Sequence, residues 1–137
     1  MIETYSKNIT VAADASIPLD SVALIKGNSV VKQGASTLLF NKSGIYDVTV
    51  SAVANAEVAG DITIQLRKNN VLQPQSLSTA TAADTATLYA LSFSTLVQVP
   101  NNNCNCSCAS LPTIVDIMNV GESATFDTID VVVTKIC

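Results

Sequence analysis

Apolar side chains recur at every second position over much of this 137-residue chain. In the stretch 45–52 every even-numbered residue is apolar or aromatic, and residues 47, 49 and 51 are polar. The stretch 61–67 repeats the pattern, with Ile62, Ile64 and Leu66 on one face. A period of two places alternate side chains on opposite faces of a strand, whereas a helix needs apolar residues every three or four positions. Since no stretch shows a convincing helical period, the sequence predicts an all-β fold.

The same alternation, together with turn residues between the apolar runs, defines the other strands. The predicted strands are 22–26, 29–32, 36–40, 45–52, 61–67, 88–99, 113–118 and 124–136. Pro100 ends the strand before it because proline cannot donate a ladder hydrogen bond. Asn69 and Asn70 predict a hairpin turn, since asparagine tolerates a positive φ. The stretch 78–86 is rich in Ala and Thr without an apolar stripe, and we expect a loop or a weak edge strand there.

The last predicted strand changes phase along its length. Phe126 has an even number, whereas Ile129 and Val131 have odd numbers. A β-bulge inserts one extra residue into a strand and so shifts the following side chains to the other face. We therefore predict a bulge near Asp127 and Thr128, which would place all the apolar side chains of this strand on one face.

Many short strands separated by turns are typical of an antiparallel sandwich or jelly roll. We predict an antiparallel jelly-roll sandwich built from one domain, residues 1–137, in which 1–19 form an N-terminal arm or first strand. The N-terminus lacks the basic region followed by an apolar region that marks a secretory signal. We expect that the chain is made in a cytosol and does not contact a membrane.

The charge content excludes several function classes. Charged residues are 13% of the chain, about half the usual level, and the net charge is −4. A net negative charge argues against docking to nucleic acid. The chain has no His, the usual general base, and no Gly-rich phosphate loop, so we do not expect an enzyme. Asp116, between Val115 and Ile117, is the most unusual carboxylate, and it could face a subunit interface or cap a turn.

The outward faces of the predicted strands lack the charge that a monomer usually carries there. These positions hold small, uncharged side chains: Thr49, Ser51, Thr63, Gln65, Ser92 and Ser94. Such a face suits burial against another subunit, where charge is costly and hydroxyls share hydrogen bonds. A solvated Ser/Thr surface is the alternative. We predict that these six residues form a subunit interface.

Four cysteines are the chemically reactive feature of the sequence: Cys104, Cys106, Cys108 and Cys137. Four thiolates suit a closed zinc site or a site for another thiolate-bound metal, although C-x-C-x-C is not the usual spacing. Disulfides and inert packed thiols are the alternatives, and a reactive thiolate is disfavoured because no His is present. If the strands 88–99 and 124–136 run in the same direction, the loop 100–112 and Cys137 lie at one end of the sandwich.

Several segments resemble a known family of jelly rolls. The segment 40–48, FNKSGIYDV, looks like the G-x-Y strand of the complement-globular-head and tumour-necrosis-factor-like jelly rolls. The segment 61–70, DITIQLRKNN, is similar to the next strand of that family, and 126–136 resembles its closing strand. The resemblance covers roughly 20–137. It implies a ten-strand jelly roll that assembles as a tight trimer, with its inner sheet packed around the threefold axis.

Within that family, the chain looks most like small phage head-fibre or capsid-decoration proteins. The similar features are the segments 7–19 and 91–99 and the cysteine-rich loop after them. The resemblance implies a trimeric virion protein that acts by assembly, made in the host bacterial cytoplasm, with itself and other virion proteins as partners. The alternative is a host-surface or carbohydrate-binding module on the same fold. Aromatic residues are 4% of the chain and Trp is absent, which argues against sugar stacking.

Overall fold

Eleven β-strands form the regular structure of residues 1–100 and 113–137, the part of the chain that this computed structural model describes. They are β1 (Ile2–Val11), β2 (Ala15–Ser16), β3 (Ser21–Ile25), β4 (Val30–Gln33), β5 (Thr37–Phe40), β6 (Gly44–Ala56), β7 (Gly60–Lys68), β8 (Val71–Ala82), β9 (Tyr89–Val99), β10 (Thr113–Asn119) and β11 (Ala124–Lys135). No helix occurs among the described residues. The prediction of an all-β chain is confirmed.

The strands form two sheets that pack face to face. Sheet I has the order β3-β1-β11-β6-β9, and sheet II has the order β4-β5-β10-β7-β8, with β2 added to β10. All the strand pairs are antiparallel. Consecutive strands repeatedly change sheets, which is the connectivity of a jelly roll. The predicted antiparallel jelly-roll sandwich is therefore confirmed.

The core lies between the sheets and is formed by the alternating positions that the sequence predicts. Ile62, Ile64 and Leu66 of β7 are all buried and face Val48 and Val50 of β6 across the sandwich. Two aromatic residues of the core, Phe40 and Tyr46, are in contact with each other. The Tyr46 ring packs edge-on against Phe40 with 4.6 Å between centroids, and its hydroxyl donates to the Lys42 carbonyl at 2.6 Å. Burial is the main cause that raises the pKa of Tyr46.

The predicted bulge in the last strand is present at Asp127. Phe126 pairs with Ala54 of β6, but Thr128 pairs with Val53, so one residue of β11 has no partner on that side. The shift buries Phe126 and Ile129 alike. The alternation of apolar and polar residues in the sequence was therefore enough to predict the bulge.

The sequence left alternatives open for two elements, and the structure distinguishes between them. The N-terminal residues, predicted as an arm or first strand, form a full interior strand, β1, which lies between β3 and β11. The stretch 78–86 was predicted as a loop or weak edge strand, and its first part belongs to the long edge strand β8. The pairing of β7 with β8 is interrupted between Gln65 and Arg67, and β8 contains Pro74. An edge position tolerates such a proline, because its missing N–H faces away from the neighbouring strand.

Candidate functional site

The outward surface of sheet I is open to solvent and carries few charges along its centre. We call it the sheet I face, formed by outward side chains of β1, β11, β6 and β9: Glu3, Tyr5, Lys7, Thr128, Asp130, Val132, Asp47, Thr49, Ser51, Val53, Ala90, Ser92, Ser94 and Leu96. Cross-strand pairing aligns these side chains in rows. Thr49 stands between Val132 and Ser94, and the Thr49 and Ser94 hydroxyls lie 3.3 Å apart.

The six residues predicted as a subunit interface are divided between the two sheets. Thr49, Ser51, Ser92 and Ser94 are exposed together on the sheet I face. Thr63 and Gln65 lie on β7, in sheet II, where the structure does not bring them near the other four. The Gln65 side chain is only 9% exposed, and its Nε2 donates to the Gln73 carbonyl at 2.9 Å. The alternation in the sequence identified outward positions, but it carries no signal of which sheet a strand joins.

The outward surface of sheet II carries a bonded polar cluster beside β2. Arg67 of β7 forms an ion pair with Asp116 of β10, with 2.9 Å between Nε and Oδ1. Ser16 of β2 donates its hydroxyl to the same carboxylate at 2.8 Å. The hydrogen bond that Arg67 donates to Asp116 raises the pKa of Arg67 above its usual value. Asp116, for which the sequence suggested a subunit interface or a turn cap, is 7% exposed and accepts hydrogen bonds from Arg67 and Ser16 within the chain.

One border of the sheet I face holds a shallow groove with two carboxylates. The groove has a volume of about 300 Å³ and is lined by Glu3, Tyr5, Lys7, Ala23, Thr128 and Asp130. Oδ1 of Asp130 is buried and has no hydrogen-bond partner. Burial, followed by the negative charge of Glu3, raises the pKa of Asp130 above its usual value. No sequence pattern indicates this pair, because the two residues are far apart along the chain and each lies in a strand as an ordinary outward carboxylate does.

The C-terminal ends of β9 and β11 lie at the same end of the sandwich. β9 and β11 are both antiparallel to β6, so they run in the same direction, as predicted. Val99, the last residue of β9, pairs with Gly44, and Ile45 N–H donates to the Cys137 carbonyl at 3.2 Å. Cys137 is exposed.

The other three cysteines, Cys104, Cys106 and Cys108, lie outside the described residues. Within residues 1–100 and 113–137, no three His, Cys, Asp or Glu side chains are grouped to hold a metal ion. The choice between a zinc site, disulfides and inert thiols therefore stays a prediction from the sequence.

Comparison with known proteins identifies the fold. No family model matches the sequence, and no curated protein matches it. Among solved structures, Eiger TNF from S. frugiperda has a TM-score of 0.66 at 10% identity, covering 99% of this chain and 92% of that one. Murine APRIL at pH 5.0 has a TM-score of 0.64 at 9% identity, covering 98% of both chains. PRD1 vertex protein P5 has a TM-score of 0.62 at 18% identity, covering 99% of this chain and 96% of that one.

The fold is a tumour-necrosis-factor-like jelly roll, and the resemblance predicted from the sequence is confirmed. A viral vertex protein shares this fold, so the structural neighbours include both cytokines and a virion component. At such identities the likeness concerns the fold alone. None of the described residues forms a helix with the length and hydropathy that crossing a membrane requires.

Proposed function

We propose that the chain is a structural virion protein of a bacteriophage. It assembles as a homotrimer through the sheet I face and serves as a capsid decoration or head-fibre component. Its mechanism is assembly and not chemistry, and its further partners are capsid or other virion proteins. Its place is the virion, after synthesis in the host bacterial cytoplasm. The fold shared with a viral vertex protein supports this role, as does the trimeric assembly that the sequence resemblance implies.

The observation that carries the proposal is the contrast between the two outward surfaces. Thr49, Ser51, Ser92 and Ser94 stay exposed on sheet I, where no segment of the described chain covers them. On sheet II the Asp116 and Gln65 side chains are buried and already bonded to Arg67 and to the Gln73 carbonyl, and Thr63 and Thr79 form the exposed hydroxyl pair there. Small hydroxyl side chains are inexpensive to bury because they have little hydration to lose and can hydrogen-bond to one another. Sheet I is therefore the surface that suits a second copy.

Exposed apolar side chains extend the same surface. Leu96 projects from β9 with 64% of its area exposed. At the opposite edge of the sheet, Leu24 of β3 pairs with the outward residue Glu3 and is 48% exposed. Apolar area on an edge strand favours aggregation unless something covers it. A neighbouring subunit that covers sheet I from β3 to β9 would bury this area together with the hydroxyl rows.

The experiment compares one added charge on each sheet. Thr49→Lys adds a charge to the sheet I face, and Thr63→Lys is its matched control on sheet II. Thr63 is also a strand threonine whose hydroxyl lies close to a cross-strand hydroxyl, that of Thr79 at 3.0 Å. In native mass spectrometry of the full chain, we expect a wild-type trimer, a monomeric Thr49→Lys variant and a trimeric Thr63→Lys variant. A monomeric wild type would contradict the trimer, and a trimer disrupted only by Thr63→Lys would place the interface on sheet II.

A further inference from the structure

Two carboxylates occupy neighbouring rows at the border of the sheet I face. Asp130 of β11 stands directly between Tyr5 of β1 and Ser51 of β6. Glu3 is the next outward residue of β1 and pairs with Val132, so it is a diagonal neighbour of Asp130. Diagonal neighbours on a sheet are close enough for their charges to interact. The two negative charges therefore act on each other across the strands.

Neither carboxylate forms an ion pair with any residue that the structure describes. The ion pair of the described residues is Arg67–Asp116, on the other sheet. Lys7 is a diagonal neighbour of Asp130 on the side opposite Glu3, but it is exposed and does not come within ion-pair distance of either carboxylate. The buried Oδ1 of Asp130 also lacks a hydrogen-bond donor.

Apart from β1, the strands around Asp130 place no titratable side chain directly beside it. β3 has no titratable side chain, and on β6 the residue opposite Asp130 is Ser51. Asp47 is the charged residue of β6 on this face, two rows away, where it accepts a hydrogen bond from Ser94. On β11 itself, Asp127 is exposed at the bulge and Lys135 lies at the far end of the strand. Glu3, Tyr5 and Lys7 of β1 are thus the titratable groups that face Asp130.

Covering this border with another subunit removes the remaining water from the pair. An unpaired carboxylate is costly to bury as an anion, and it becomes neutral by binding a proton when the cost is high. In the free subunit the pKa of Asp130 is already raised, first by burial and second by Glu3. Further desolvation acts in the same direction.

We propose that assembly through the sheet I face is coupled to proton uptake at the Glu3–Asp130 pair, so that the trimer is stronger in mildly acidic solution than at neutral pH. The inference rests on the proposed function, because it concerns the same face. Each subunit takes one proton from the solvent as the border is covered, and Asp130 passes from carboxylate to carboxylic acid. The trimer thus has a sensor for acidity within its own interface.

The sign and size of the pH effect follow from the linkage between proton binding and trimer association. Association favours the protonated form, so the association constant rises as the pH falls between the pKa of the trimer and that of the free subunit, and it is flat outside this window. Each proton taken up contributes about a tenfold change per pH unit, so three subunits contribute up to about a thousandfold per unit.

The test measures the trimer association constant of the full chain by sedimentation equilibrium, from about pH 5 to about pH 8 at constant ionic strength. The variants are Asp130→Asn, which is neutral at every pH, and Asp127→Asn as the matched control on the same strand. We expect the wild type and Asp127→Asn to lose affinity as the pH rises. We expect Asp130→Asn to remain a trimer throughout, with a higher affinity than the wild type at the upper end. Glu3→Gln should reduce the pH dependence by removing the neighbouring charge, and it serves as the second variant if Asp130→Asn does not fold.

The outcomes separate the two proposals. A wild type that is monomeric across the whole range contradicts the trimer itself. A trimer whose affinity does not change with pH, or whose pH dependence survives both Asp130→Asn and Glu3→Gln, overturns the proton coupling and leaves the trimer intact. A pH dependence removed equally by Asp127→Asn also overturns it, because the effect would then be one of total charge.

Discussion

Thr4 and Ser6 are successive inward-facing residues of β1, but only one of them has its hydroxyl satisfied. Ser6 Oγ donates to the Pro18 carbonyl at 2.7 Å and accepts from Asp20 N–H at 2.7 Å. Thr4 Oγ1 is buried without a hydrogen-bond partner. The two positions share a strand and a degree of burial, so they separate the value of a satisfied hydroxyl from the cost of an unsatisfied one.

Replacing Thr4 with valine should stabilise the fold. Thr4→Val keeps the shape of the side chain and removes the unpaired hydroxyl, whose burial costs about 1 kcal/mol or more. Ser6→Ala should instead lower the free energy of unfolding by about 1–3 kcal/mol, because it leaves the Asp20 N–H without its acceptor. Urea denaturation of both variants at neutral pH measures the difference. A Thr4→Val variant no more stable than the wild type would show that the hydroxyl finds a partner in solution.

The ion pair on sheet II should contribute to stability. Asp116→Asn leaves the Arg67 guanidinium without its anionic partner beside β2. We expect a loss of about 2 kcal/mol, less than for a fully buried pair because the Arg67 side chain is 26% exposed. Asp61→Asn is the control, since Asp61 is an exposed carboxylate that accepts from the Thr81 hydroxyl. Equal losses in the two variants would contradict a specific role for the pair.

Gly44 should tolerate no side chain. Its φ is 144°, and a Cβ at this position would overlap the backbone carbonyl of Cys137. Gly44→Ala should therefore cost about 3 kcal/mol and loosen the end of β11, because a backbone contact cannot yield as a side chain can. Gly34→Ala is the control, since its φ is also positive, at 67°, but no atom lies within 4 Å of the added Cβ. Thermal unfolding compares the two, and Gly34→Ala should cost only about 1 kcal/mol.

The cysteine prediction can be resolved by thiol labelling. Cys137 is exposed, so in reduced, metal-free protein it should react rapidly with an alkylating reagent under native conditions. If the four cysteines bind zinc, labelling of the wild type needs a chelator first, and if they form disulfides, it needs a reductant first. Slow labelling of the other three cysteines that neither reagent changes would leave inert packed thiols as the remaining alternative. Cys137→Ser identifies which labelled product belongs to the C-terminal residue.

Side-chain alternation predicted the faces of the strands well, because one buried face imposes a period of two whatever the partner strand is. It located the bulge at Asp127 for the same reason. It could not place β7 in sheet II, since the choice of sheet depends on pairing between distant segments. It also missed the first half of β8, where the break in pairing near Gln65 removes the regular period.

The polar groups of the candidate site were likewise predicted only in part. The sequence identified Thr49, Ser51, Ser92 and Ser94 as uncharged outward positions, and the structure brings them together. It could not foresee that Asp116 meets Arg67 from 49 positions away, or that Glu3 and Asp130 meet across the first and last strands. These contacts depend on register between strands that are remote in sequence, and local patterns contain no information on register.

The bulge at Asp127 makes the closing strand intolerant of a change in length. Without this residue, either Phe126 or Ile129 and the residues after it would turn from the core to the solvent, because each face of a strand is fixed by position. β1 follows the same course beside it: Asn8, with a φ of 53°, lies between Lys7 and Ile9, which pair with Thr128 and Phe126. A deletion at one strand would therefore need a matching deletion at the other, so variation at this point of the fold should occur by substitution and seldom by insertion or loss.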